Sequence, residues 1–294
     1  MNTKHLFLFI ILALVFNLKA QQNVYKHQLG DYTIYLLSER QGEGSSNILI
    51  DASDEMLKSC VPNGKFSNAM NCFLLETKES LFLFDTGVSG ANLLDNLKKL
   101  EKNVDEISAI FITHLHGDHF GGLLIDGQKS FPEANLYLSQ NEYDYFMSEE
   151  ARGGENVRQI LEIYKENVVL FEPGTFENPF EAKKGINCIA AYGHTPGHTC
   201  YLIENKDDKI FIWGDLTHAM AIQMPFPKVA VTYDVCYNTA VKTRLEFLDF
   251  LQSKNIPIAG MHIAFPGMGF LKINPENGYD FEPIKIVQGR IRTR

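Results

Sequence analysis

The chain is short of positive charge: 27 Lys and Arg stand against 36 Asp and Glu over 294 residues, for a formal charge of −9. A phosphate backbone demands a basic surface, so the balance speaks against nucleic acid as a partner. No Cys-x-x-Cys pair occurs, and the five cysteines (Cys60, Cys72, Cys188, Cys200, Cys236) are odd in number and widely spaced. They frame no disulfide scaffold, and the expectation is thiols buried as small hydrophobes in strands. No Pro/Gly/Ser-rich linker or low-complexity tract interrupts residues 21–294, which predicts one domain with a large core. Long apolar runs are missing too, except at the N-terminus, where Lys4 precedes the run from Leu6 to Phe16 and Ala20 offers a small residue at a cleavage point. That run is shorter than the roughly 20 residues a spanning helix needs. Residues 1–20 therefore read as the signal peptide of an exported protein that keeps no membrane attachment once it is cleaved.

What is present is a series of short strand-like runs: 32–37, 72–76, 81–84, 107–112, 136–139 and 168–171, then 186–191, 200–203, 209–213, 256–261 and 281–287. Helical patterns interrupt it. Residues 92–102 place Leu93, Leu94, Leu97 and Leu100 on one side, and Val241, Leu245, Leu248 and Leu251 follow helical spacing behind a cap at Asn238 or Thr239. Residues 141–166 look helical but broken at Gly153 and Gly154. Two groups of strands, each closed by helices, predict an α/β fold of two packed mixed sheets with helices outside, an αββα sandwich.

Seven of the nine histidines fall just after the strand-like runs or in the loops between them, where a rigid scaffold presents chemistry. In ITHLHGDHFGG, His114 and His116 alternate with Leu115, so extended backbone would aim both imidazoles one way. Gly117 then lets the chain turn and set Asp118 and His119 beside them. Later come GHTPGH with His194 and His198, WGD with Asp215, and GMH with His262.

These four motifs, in this order and with these separations, resemble the metallo-β-lactamase-fold dinuclear metal hydrolases, and the DTG at 85–87 matches a further element of that family. The resemblance implies that His114, His116 and His194 hold one metal, that Asp118, His119 and His262 hold the second, and that Asp215 bridges them. Imidazole nitrogen and carboxylate oxygen in these numbers suit two Zn²⁺ per chain, though other divalent metals fit the same donors. Two adjacent cations make hydroxide available near neutral pH and polarise a carbonyl or phosphoryl oxygen, while Asp118 is placed to shuttle a proton. His198 and Asp85 are expected to brace the ligands rather than to bind metal.

Departures within the family narrow the substrate. Metallo-β-lactamases proper usually lack an aspartate where Asp215 stands, and the flavodiiron relatives carry an acid where His116 stands. GDLTHAMAIQMPFP and HIAFPGMGF resemble a branch containing methyl parathion hydrolase and exported N-acyl homoserine lactone lactonases of the AidC type. In many such lactonases a tyrosine lies three residues after the bridging aspartate; here that place belongs to His218, which the resemblance makes a catalytic donor to the substrate carbonyl or leaving oxygen. Met220, Met224, Phe226, Phe265, Met268 and Phe270, with Tyr143, Tyr145, Phe146 and Met147, would supply an apolar wall for the acyl chain of a small-molecule substrate. An exposed cluster of this kind would equally serve a homodimer interface. The expected activity is opening of the lactone ring of N-acyl homoserine lactones, the alternative an organophosphate triesterase or arylesterase.

Overall fold

The computed structural model describes residues 23–276 and 278–285, so the signal-peptide expectation lies outside the described residues. Two seven-stranded sheets form, each from consecutive stretches of chain. The first holds β1 (Val24–Leu29), β2 (Tyr32–Ser45), β3 (Lys65–Glu76), β4 (Leu81–Phe84), β5 (Ile107–Phe111), β6 (Asn135–Ser139) and β7 (Val168–Phe171) in that order. Its first four strands pair antiparallel, and β4 to β7 pair parallel. The second holds β8 (Phe180–Lys183), β9 (Ile186–Ala190), β10 (Thr199–Asn205), β11 (Asp208–Ile212), β12 (Ile258–Ala259), β13 (Met268–Ile273) and β14 (Tyr279–Pro283), all antiparallel except β11 with β12.

Strands covered on both faces read as unbroken apolar runs, and LFLF of β4 is buried throughout. Its pleat divides the run: Leu81 and Leu83 join the layer under the helices, while Phe82 and Phe84 join the layer between the sheets. In that central layer Phe84 stacks on Phe111 at 5.3 Å, and Phe111 also meets Tyr137 and, from the second sheet, Tyr201. Each buried Phe contributes about 2–3 kcal/mol of transfer free energy. The Tyr201 hydroxyl donates to Ile112 O and the Thr199 amide to Thr113 O at 2.9 Å, so the sheets are stitched together where β5 ends.

Helices flank the sheets and the loops at their edge. Against the first sheet lie α1 (Leu93–Lys99), α3 (Gln140–Met147) and α4 (Gly154–Tyr164), α2 (Gly117–Phe120) is a single turn, and α5 (Tyr237–Ser253) covers the second sheet. The αββα expectation therefore holds, and the break expected at Gly153 and Gly154 falls at residues 148–153, with Gly153 at φ +74° and Gly154 opening the second helix. Other expectations need correction. The last helix starts at Tyr237, before the expected cap, and Cys236 precedes it without a side-chain cap hydrogen bond. Its buried face runs through Ala240, Arg244, Phe247, Leu248 and Leu251 rather than Val241 and Leu245, because Arg244 finds three carbonyl acceptors inside. Strands β1, β8 and β13 have no counterpart among the expected runs, since each alternates polar and apolar residues too weakly to stand out. All five cysteines are free thiols; Cys72, Cys188 and Cys200 are buried in strands as expected, Cys60 is half-buried and Cys236 exposed.

A buried carboxyl lies in the first sheet, away from the edge loops. Glu39 occupies the bulge of β2, where Ser38 pairs with Asn71 and Arg40 with Met70, and its carboxylate faces the amides of Asn92 and Leu93 without closing a hydrogen bond. Burial pushes its carboxyl up from 4.5 to about 7, against the pull of those amides, Asn96 and Lys99. Below 4.5 the group is protonated folded and unfolded alike. Between 4.5 and about 7 the folded chain keeps a proton that the unfolded chain releases, so stability is lost as pH rises through that window. Urea unfolding of the native chain should show this decline, and Glu39→Gln should flatten it.

Candidate metal centre and cleft

The strand ends bring five loops to one edge of the sandwich: 85–87 after β4, 113–119 after β5, 191–198 after β9, 213–218 after β11 and 260–262 after β12. The Asp85 carboxylate accepts from the Thr113 amide and hydroxyl, both at 2.8 Å, which pins the start of the histidine loop. His116 then precedes the single turn α2, whose first residues point Asp118 and His119 back toward His114.

The structure gathers all seven expected ligands. His114, His116, His194 and Asp215 offer one group of converging atoms, and Asp118, His119 and His262 a second. In the first group the facing nitrogens lie 3.0 Å (His114 Nε2 to His116 Nδ1), 3.0 Å (His194 Nε2 to His116 Nδ1) and 3.2 Å (His194 Nε2 to His114 Nε2) apart. Burial pulls the imidazoles of His114 and His194 well below their ordinary value and His116 down to about 4. At neutral pH they are therefore uncharged rings, the form in which imidazole nitrogen binds a cation. In the second group burial opposes charge on His119 and His262, but Asp215 and the neighbouring carboxylates outweigh it and raise both. A field that holds a proton so firmly also favours a metal ion.

Asp215 stands between the groups. Its Oδ1 lies 3.1 Å from His119 Nε2, and its Oδ2 lies 3.1 Å from His262 Nε2 and 3.4 Å from His194 Nε2. Both His119 Nε2 and Asp215 Oδ1 are buried with no hydrogen-bond partner. Buried polar atoms are nearly always paired, so these two orphans mark a place for another ligand-bound species. The cluster fits a dinuclear metal site; its donors are those of zinc and of several other divalent ions.

Each expected metal ligand that presents Nε2 inward has an outer partner at Nδ1, which sets its tautomer and ring orientation. Thr113 Oγ1 lies 3.1 Å from His114 Nδ1, Asp85 Oδ2 2.6 Å from His119 Nδ1, Asp234 Oδ1 2.8 Å from His194 Nδ1, and Ala69 O 2.8 Å from His262 Nδ1. His198 joins neither group. Its Nδ1 donates to Ala191 O and its Nε2 accepts from the Asp215 amide at 3.0 Å, so it braces the backbone of the shared carboxylate. His218 Nε2 lies 2.8 Å from Asp215 Oδ2, and its Nδ1 is buried without a partner. Its peptide is fixed on both sides, by Gln223 Oε1 on the amide and Asn68 on the carbonyl.

A cleft of about 950 Å³ opens over Asp118, Asp215, His218 and His262. Tyr145 of α3, backed by the buried Phe146, lines the cleft together with Tyr233, Val235, Tyr237, Ile48 and Phe66, and the charged side chains of Arg40, Glu43, Glu150 and Arg152 line it as well. Most of the residues expected for this wall lie elsewhere. Met224 and Met268 are in the core, Met220 and Phe226 pack against it, Phe265 meets Tyr25, and Phe270 lies under Lys272. Strand and helix packing claimed their side chains.

A family model adds the deciding comparison, for the sequence model of the Metallo-beta-lactamase superfamily matches residues 69–249. The chain belongs to that superfamily. It is 26% identical to an N-acyl homoserine lactonase of Bacillus thuringiensis over 176 residues, covering 51% of this chain and 64% of the relative. It is 29% identical to the probable metallo-hydrolase YqgX of Bacillus subtilis (strain 168) over 148 residues, covering 50% of this chain and 65% of the relative. The chain thus spans just under two thirds of the curated relatives it matches. Among solved structures, the hydrolase AbOPH of the beta lactamase superfamily aligns with TM-score 0.81 and 27% identity over 90% of this chain and 99% of that one. AidC, a dizinc quorum-quenching lactonase, aligns with TM-score 0.82 and 23% identity over the same shares, a likeness of fold. The superfamily membership accounts for the order of the motifs and leaves the substrate open.

Asp234, Arg244 and Glu142 carry no signal in the sequence. Asp234 sits in a loop without a motif, Arg244 and Glu142 on helices where a charge reads as solvated, and only folding shows them buried beside the ligands. Because Asp234 supports a ligand of the first group and Asp85 one of the second, Asp234→Asn and Asp85→Asn should each lower zinc affinity about 10- to 100-fold. Titration against a chromogenic chelator should show a different one of two binding steps shifted in each variant.

Proposed function

We propose that the protein is a dizinc hydrolase that opens the lactone ring of N-acyl homoserine lactones, and so destroys quorum signals. The observation that carries the reading is a shared carboxylate, Asp215, set between two histidine groups in an open cleft that is lined by aromatic residues, among them Tyr145, Tyr233 and Tyr237, as well as by the charged side chains of Arg40, Glu43, Glu150 and Arg152. The relatives that are lactonases by name support it. Metals held by His114, His116 and His194, by Asp118, His119 and His262, and by Asp215 between them would supply hydroxide near neutral pH and draw electrons from the lactone carbonyl.

The chain's own groups do the rest. The side chain of Asp118 is 38% exposed and opens to the cleft. Its carboxylate takes the proton that the attacking hydroxide still carries once the new C–O bond to the carbonyl carbon has formed, and passes it to the ring oxygen as the bond between that oxygen and the carbonyl carbon breaks. The product is an open-chain hydroxy acid. His218, which lines the same cleft beside Asp215, donates to the carbonyl or the leaving oxygen. The aromatic walls take the acyl chain and exclude water from it. Export belongs to the same proposal and rests on residues 1–20.

Phosphotriester cleavage is the competing reading, carried by the resemblance to the methyl parathion hydrolase branch; His218 does not separate the two, because the AidC-type lactonases and the organophosphate-cleaving relatives both carry a histidine there. Zinc-loaded protein should acidify a weakly buffered solution of an N-acyl homoserine lactone much faster than it releases nitrophenolate from a phosphotriester; the reverse ratio would overturn the lactone reading. Asp118→Asn should lower kcat for the preferred substrate by about 10²–10⁴-fold.

A further inference from the structure

Glu142 is fully buried, touches no candidate ligand side chain, and takes no part in the proposed chemistry. It lies in the first turn of α3, and its carboxylate accepts from two separate ligand loops. Oε1 takes the Leu115 amide at 2.7 Å, between His114 and His116; Oε2 takes the Thr195 hydroxyl at 2.6 Å and the Gly197 amide at 3.0 Å, just after His194. Ser139, which caps the same helix, donates to Gly197 O at 2.7 Å. The approach is so close that a Cβ at Gly197 would overlap the Glu142 amide nitrogen. One turn further on, α3 presents Tyr145 and Phe146 to the cleft, with the Phe146 ring centred 6.3 Å from that of His116.

Burying a carboxylate is costly, and here burial pushes its carboxyl up to about 7 even with three donors in place. A glutamine would offer one acceptor oxygen where the loops present three donors. The bonds join a wall of the cleft to the two loops that carry His116 and His194, and they join nothing else.

We propose that Glu142 is a positioning residue that sets the register between the Tyr145/Phe146 wall and the candidate ligands, so that a substrate's apolar arm is measured from the carbonyl to be attacked. This inference rests on the lactone reading. Its test is binding, by calorimetry, of the non-hydrolysable lactam analogues of butanoyl and dodecanoyl homoserine lactone to zinc-loaded native protein and to Glu142→Gln. The variant should keep both zinc ions, while its preference between the two arms shrinks about tenfold, the scale of a methylene's worth of apolar burial. With the lactones themselves, kcat/KM should fall more for the long arm than for the short one. Equal weakening of both arms, or loss of zinc, overturns the inference. If Glu142→Gln does not fold, Ser139→Ala removes the neighbouring latch and should shift the preference in the same sense; an unchanged preference there overturns the inference as well. Failure of the native protein to bind either lactam would instead overturn the lactone reading, and this inference with it.

Discussion

The carboxylate of Asp215 is the constraint around which the rest of the molecule is arranged. It is nearly inaccessible to solvent, faces imidazoles on both sides, and has one oxygen with no hydrogen-bond partner. Such a group is tolerable inside a protein only when positive charge compensates it. The two sides supply that compensation differently. Toward His114, His116 and His194 the surroundings are dry and favour neutral rings; toward His119 and His262 the added carboxylates Asp85 and Asp118 favour charge. The two halves of the site thus differ in character although their donor types are nearly the same.

Around this centre lies a layer of groups that bind nothing themselves. Asp85, Asp234, Thr113, His198 and the carbonyl of Ala69 each fix one inner group, and Arg244 links Asp234 to Leu216 O beside Asp215. The fold supports these braces because the sheets meet where β5 and β10 are hydrogen-bonded, at the root of the histidine loop. Distances among the inner atoms are set by parts of the chain far apart in sequence.

The inner atoms are legible in the sequence because their spacing is their geometry. His114 and His116 flank one residue on extended backbone, Gly117 permits the turn to Asp118, and short motifs elsewhere repeat the glycine-histidine pattern after strands. The same holds for the strands buried on both faces, such as Leu81–Phe84. What is not legible depends on three-dimensional choice. Met224 and Met268 carry the chemistry of a ligand wall but occupy core positions, while Tyr233 and Val235 form the wall from a loop with no periodic signal. Glu142 and Arg244 read as solvated helix charges, and only the approach of the loops at Gly197 and Leu216 shows them inside. His218 lies between these cases: its place in the cleft is readable, its contact with Asp215 is not.

The order of strands carries a last consequence. One sheet is built from residues before 172 and the other from residues after 179, so each half of the polypeptide supplies one sheet. The first half contributes His114, His116, Asp118 and His119, and the second His194, Asp215 and His262, with neither half able to complete either donor group alone. A bound cation would act as a clasp across the seam: parting the halves would set it free, and its capture would report that both have come together.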